Sequence, residues 1–316
     1  MLGVARMGLH NMRATCTFQA VRPHTLGLIG LGAIGGSIAR QVKQPGNGGA
    51  GGGGRGGGGG IVVVGWSPEP AERALAAQQG ALDDAPARAA DVARVADILV
   101  LAAPPAANLA QLDALIPHLK SGALVTDVGS VKRGIVARAD RLGISNRFAG
   151  SHPLAGTHRH GFEAARVDLF RGAVVYVTPC SGPGGGDAAR EIAHFWEDVL
   201  GAEPVVLDAA RHDAQLAATS HVPQVVASLL GDFLAQHAPP GSTFGTGAAD
   251  TTRLAASDPA LWTEILLMNR DELLPALRAL EESLGTVEHA LEVGDATALT
   301  AWLTRAATWR RRIGGA

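Results

Sequence analysis

The chain has 316 residues, 47% of them hydrophobic and 18% charged, with a formal net charge of −2 at pH 7. That length suffices for two cores, because single cores stop growing at about 250–300 residues. The balanced charge lacks the basic face of a nucleic-acid binder, and no apolar run approaches the ~20 residues of a membrane span, so neither partner is expected.

Residues 1–23 carry scattered arginines but no continuous apolar run. They read as an extension expected to be disordered, with Met12 a second candidate start, and not as a signal peptide. From Thr25, "TLGLIG" is a short apolar strand that runs directly into "GLGAIGGSIA", which opens a helix. Gly30, Gly32 and Gly35 stand there in G-x-G-x-x-G spacing, with Ile34 inside the turn. The pattern alone is weak, but strand before and helix after is the context a dinucleotide site requires. The glycines allow a tight turn, and the helix N-terminus offers N–H groups to a pyrophosphate. Residues 46–60 hold twelve glycines in fifteen positions. Such a run cannot repay its backbone entropy in a packed structure, so a flexible insertion is expected inside the domain.

"IVVVGW" is a buried-type second strand, and "PAERALAAQQG" is a helix closed by Gly80. Where an acid commonly follows the second strand to hold the adenine ribose, Ser67 stands, with Arg73 a turn and a half into the helix. The cofactor reads as NAD or NADP, with the choice open. "ADILVLAAP", "GALVTDVGS", "RFAGSHP" and "GAVVYVTP" are further strands. Their alternation with helices predicts a parallel sheet covered on both faces.

Two segments at the carboxyl edge of that sheet carry chemistry. "TDVGSVK" contains Ser130, and "GSHPLAGTHRHG", residues 150–161, is a glycine-punctuated stretch expected to be a loop, with His152, His158 and His160. No acid or cysteine completes a metal set, and glycine and proline break any helical spacing, so no metal is expected. Ser130 orienting the imidazole of His152, which then accepts a substrate proton, is the expected arrangement.

After about Asp208 the pattern becomes helical. His212–Asp213 reads as a helix-start pair, residues 258–293 as one long helix, and Trp262 as helix core. Asp258 before Pro259, and Asp295, read as N-caps. The apolar positions of these helices exceed what one short bundle covers, so a homodimer is expected. The fold class is therefore α/β: an N-terminal doubly wound (Rossmann-type) dinucleotide-binding domain, residues 24–206, followed by an all-helical C-terminal domain, residues 207–316, expected to dimerise and, by the resemblance drawn below, to bind substrate. Cys16 and Cys180 form no disulfide framework and read as free thiols of a reducing, cytoplasmic compartment.

Four stretches, "TDVGSVK", "GSHPLAGTHRHGFEAA", "WEDVLGAEPVVLDAARHDAQLAATSHVP" and "DTTRLAASDPALW", occur in order and resemble the prephenate dehydrogenase family. The resemblance implies NAD(P)-dependent oxidation of prephenate to 4-hydroxyphenylpyruvate and carbon dioxide in tyrosine biosynthesis, or of arogenate to tyrosine. It implies that His152 is the catalytic histidine on the ring hydroxyl and that Ser130 bridges it to the nicotinamide. By the same resemblance His221 and Arg253 hold substrate, the arginine through the ring carboxylate, and Thr157 contacts the substrate side chain. The sequence departs from relatives at Ser67, at His158 where some carry an acid, and at Ala249 where some carry a lysine. Neither a C-terminal regulatory domain nor a fused chorismate mutase is expected. Another two-domain dehydrogenase of the 3-hydroxyacid type would place a lysine base where His221 stands. A non-enzymatic dinucleotide sensor would be expected to lack the serine, histidine or arginine.

Overall fold

The computed structural model describes residues 23–44, 60–156 and 160–314. The N-terminal extension, residues 46–59 of the glycine run, Thr157 and His158 thus lie outside the described residues. The chain divides into two units. The first is built from the described part of Met1–Ala103 with Ala107–Gly129 and Val136–Val206; the second from Pro104–Ala106, Ser130–Ile135 and Leu207–Ala316.

In chain order the first two-thirds form β1 (Thr25–Ile29), α1 (Ala33–Val42), β2 (Val62–Trp66), α2 (Pro70–Gln78), α3 (Ala89–Val95), β3 (Ile98–Leu101), α4 (Pro105–Leu115), β4 (Leu124–Asp127), α5 (Arg133–Arg141), β5 (Ala149–Pro153), β6 (Val174–Pro179), α6 (Gly185–His194) and β7 (Glu203–Val206). Four strands make a parallel sheet in the order β2-β1-β3-β4. The order puts β1 in the middle, with Leu26 opposite Val63 on one side and Ile98 on the other. Burial on both faces explains why these strands read as continuous apolar runs. Leu26, Leu28, Val63, Val100, Phe170 and Trp196 belong to one buried cluster, where Trp196 packs edge-on to Phe170 with centroids 5.3 Å apart.

Two expectations are corrected here. The sheet is not parallel throughout: β5, β6 and β7 form a second three-stranded ribbon in which β5 runs antiparallel to β6 and β6 parallel to β7. A parallel bridge, Val125 to Phe148, joins this ribbon to β4. Alternating apolar runs carry no direction, so sequence alone does not distinguish these pairings. Moreover, the segment expected to be a loop from residue 150 begins as a strand, with His152 on β5 opposite Tyr176.

The second unit is helical: α7 (Ala209–Leu216), α8 (Val222–His237), α9 (Thr246–Thr252), α10 (Pro259–Met268), α11 (Arg270–Glu292) and α12 (Ala296–Gly314). A single π turn, Ala217–His221, links α7 to α8. Asp258 caps α10 through the Leu261 N–H at 3.0 Å, and Asp295 accepts from the Ala298 N–H at 2.9 Å, so both expected caps are present. The long helix expected over 258–293 is instead two helices, α10 and α11, broken at Asn269 (φ −110°, ψ 19°). Asparagine competes for backbone partners at such a position, and its amide here donates to the Asp213 carbonyl at 2.8 Å.

Candidate active site

The β1–α1 turn is shaped by what glycine lacks. A Cβ on Gly30 would lie 2.5 Å from the Ala102 carbonyl oxygen, and one on Gly35 would lie 2.0 Å from that of Gly30. Gly30 also takes φ +100°, a left-handed conformation that other residues resist. Above Gly32, by contrast, nothing stands within 4 Å of an added Cβ. Gly32 is the N-cap of α1, no side chain caps that end, and no acid occupies the first turn, which contains Ile34. Two glycines therefore permit the turn, and the third leaves open space over uncapped N–H groups, which fits a pyrophosphate.

Ser67 follows β2 directly and is buried. Its hydroxyl donates to the Glu72 carboxylate at 2.5 Å, and the Arg73 guanidinium donates to its carbonyl at 2.5 Å. An acid from the first turn of α2 thus stands at the end of β2, and an arginine does stand beside Ser67. The helical turn between positions 69 and 73 brings both back over the strand end, which linear distance conceals.

His152 is held by its neighbour. Ser151, fully buried, places its Oγ 2.7 Å from Thr126 Oγ1 and accepts from Trp196 Nε1 at 2.9 Å. Alternation along the strand turns the half-buried His152 side chain to the opposite face. On β4, Asp127 accepts from the Gly129 N–H at 2.8 Å, which tightens the start of the Ser130 segment. Cys180 is a buried free thiol, pushed up to about 12 by burial and then by the Asp140 charge.

Ser130, His221 and Arg253 fall in the helical unit, whereas His152 and the glycine turn fall in the other. His212 and Asp213 lie near the start of α7, as the sequence suggested, and both are fully buried. Asp213 lies 2.7 Å from His212 Nδ1 and accepts from the N–H groups of Lys132 (2.8 Å) and Arg133 (2.9 Å). Burial pushes its carboxyl up, but these hydrogen bonds outweigh that and hold it below its ordinary value. The carboxylate therefore anchors the chain two residues after Ser130. Asn269 Nδ2 bridges the Asp213 carbonyl and His221 Nδ1, the latter at 3.0 Å. His221 is fully buried and packs edge-on to the half-buried Trp262 ring at 6.0 Å. Burial pushes its imidazole down to about 4, against the pull of Asp213 and with that of His212. Arg253 is exposed, on a short turn after α9. Sequence reasoning missed Asp213 and Asn269; the "HD" dipeptide was the one available signal for the first, and nothing local marked the second.

The family model described as "Prephenate dehydrogenase, nucleotide-binding domain" matches residues 55–205, and "Prephenate dehydrogenase, dimerization domain" matches residues 208–305. The chain belongs to the prephenate dehydrogenase family. The prephenate dehydrogenase of Lactococcus lactis is 30% identical over 279 residues, covering 86% of this chain and 72% of that protein. Among solved structures, prephenate dehydrogenase from Aquifex aeolicus in complex with hydroxyphenyl propionate and NAD+ superposes with a TM-score of 0.80 at 27% identity, over 92% of this chain and 98% of that one. Synechocystis arogenate dehydrogenase gives 0.73 at 26%, over 92% and 99%. The nucleotide-binding match begins at residue 55, within the glycine run that separates β1 and α1 from β2. Membership of this prephenate dehydrogenase family makes the chain an oxidoreductase with a nucleotide-binding domain. No helix among the described residues is long and apolar enough to cross a membrane.

Proposed function

We propose that this chain carries out the NAD(P)-dependent oxidative decarboxylation of prephenate to 4-hydroxyphenylpyruvate in tyrosine biosynthesis, with arogenate, giving tyrosine, as the alternative substrate. The observation that carries the reading is the β1–α1 turn, open above Gly32 and closed to side chains at Gly30 and Gly35, in a member of this family. Gly30, Gly32, Ile34 and Gly35 would hold the dinucleotide phosphates, and Ser67 with Glu72 the adenosine end. A nicotinamide bound there supplies the hydride acceptor.

His152 takes the proton of the substrate ring hydroxyl as hydride leaves the same carbon. Loss of carbon dioxide then breaks the ring–carboxylate bond and leaves its electron pair to aromatise the ring, and the proton on His152 returns to the phenolate oxygen. Ser130 orients His152, Arg253 forks onto the ring carboxylate, and Thr157 and His221 contact the remainder of the substrate. The Glu72 carboxylate opposes a 2′-phosphate, which favours NAD over NADP. A homodimer is supported by the dimerization-domain match and by exposed apolar side chains of the helical unit, among them Leu284, Leu291, Trp302 and Trp309; light scattering at micromolar concentration is expected to give twice the chain mass.

Initial rates of nicotinamide reduction, with prephenate and arogenate each crossed with NAD and NADP, test the activity. Absence of turnover in all four combinations overturns it.

A further inference from the structure

The Asp213 carbonyl oxygen only accepts hydrogen bonds, so the Asn269 atom 2.8 Å from it must be the amide nitrogen. The same nitrogen lies 3.0 Å from His221 Nδ1. An amide carries two hydrogens, and the second faces the ring. A hydrogen donated to Nδ1 requires a bare nitrogen there, so a neutral ring must carry its own proton on Nε2. That Nε2 is buried and has no hydrogen-bond partner among the described residues. A buried N–H left unpaired is costly, so it is a group awaiting an acceptor.

We propose that Asn269 is a positioning residue that fixes His221 as a neutral imidazole protonated on Nε2, so that His221 meets the substrate as a hydrogen-bond donor to an oxygen, never as a base or a cation. The donor role rests on the reading of His221 as a substrate contact; the tautomer does not. The charged groups around the ring support neutrality. On α7 Asp213 favours a charged ring and His212 opposes it, and burial, the largest effect, acts with His212. On the α11 side Arg270, Asp271 and Glu272 follow Asn269, and Glu272 is ion-paired with Arg133. A donor of this kind suits a carboxylate or carbonyl oxygen of a small acid. It also assigns proton acceptance to His152 alone, because a ring whose Nδ1 is engaged and whose Nε2 is protonated has no free lone pair.

The test is nitrogen NMR of the full-length chain labelled at histidine, with His221 assigned by the loss of its signals in His221→Gln. Without ligand, the expected pattern is a bare nitrogen at Nδ1 and an N–H at Nε2, unchanged between about pH 5 and pH 8. A proton on Nδ1, or titration near the ordinary histidine value, overturns the proposal. In Asn269→Asp an oxygen replaces the donor, so a proton should appear on Nδ1. KM for prephenate should then rise by about ten- to a hundredfold with kcat little changed. A variant that keeps the wild-type tautomer refutes the positioning role, and if it fails to fold the wild-type spectrum still decides. Prephenate that turns over without moving the Nε2–H resonance overturns the donor role and leaves the tautomer standing.

Discussion

Asp213→Asn isolates the anchor beneath the Ser130 segment. The carboxylate accepts from two backbone N–H groups, Lys132 at one oxygen and Arg133 at the other. The asparagine amide keeps one oxygen and turns an NH2 toward the second donor, so one charge-assisted bond is lost and one buried N–H faces another donor. A hydrogen bond to a charged group contributes about 1.5–3 kcal/mol and an unsatisfied buried donor costs about 1–3 kcal/mol. Because the two figures overlap in what they count, a net loss of roughly 2–4 kcal/mol is expected. Urea unfolding followed by circular dichroism reads it as a lower midpoint at unchanged slope. Amide hydrogen exchange localises it: protection at Lys132 and Arg133 should fall by more than at strand β1, whose amides report global unfolding. Turnover should fall as well, since Ser130 is two residues from the first anchored amide. If stability drops while the Lys132 and Arg133 amides keep their protection relative to β1, the carboxylate is not what holds this segment.

Four further outcomes are expected. Gly35→Ala places a methyl against the Gly30 carbonyl, so NAD binding followed by fluorescence should weaken by more than tenfold, with a loss of about 1–3 kcal/mol in stability. Glu72→Gln removes the charge beside Ser67 and should improve NADP binding relative to NAD by about tenfold; an unchanged ratio removes Glu72 from cofactor choice. His152→Asn should lower kcat by roughly 10²–10⁴ with little change in KM, whereas Arg253→Ala should chiefly raise KM; swapped phenotypes would overturn the assignment. His221, neutral when folded at about 4 against an ordinary 6.5, stabilises the fold above pH 6.5, and that contribution is lost as pH falls toward 4 because the unfolded chain binds the proton first. Denaturant titrations across that window should show a loss on the order of 3 kcal/mol from this group. Asp213, held below its ordinary value, adds a further loss only below about pH 4.

What the sequence determined by itself is local in origin. The strand–glycine–helix register of "TLGLIGLGAIGG" is local where a Cβ at Gly35 would meet the Gly30 carbonyl five residues earlier, whereas the atoms a Cβ at Gly30 would meet, those of Ala102, are brought there by the fold. The caps at Asp258 and Asp295 need only the next three residues, and the apolar strands advertise burial on both faces. The motifs carrying His152, Ser130, His221 and Arg253 were readable as ordered patterns, and the family they resemble is the one to which the chain belongs. Tertiary structure decided the rest, because partners distant in sequence leave no periodic trace. Only the fold turns β5 antiparallel to β6, since pairing direction depends on chain path and not on composition. Only the fold breaks the helix at Asn269, whose amide reaches a carbonyl 56 positions away. Likewise His212–Asp213 reads from sequence only as a helix-start pair, until residues 132 and 133, some 80 positions earlier, bring their N–H groups onto the carboxylate. A buried charge is stable only with such partners, and those partners exist only once the chain is folded.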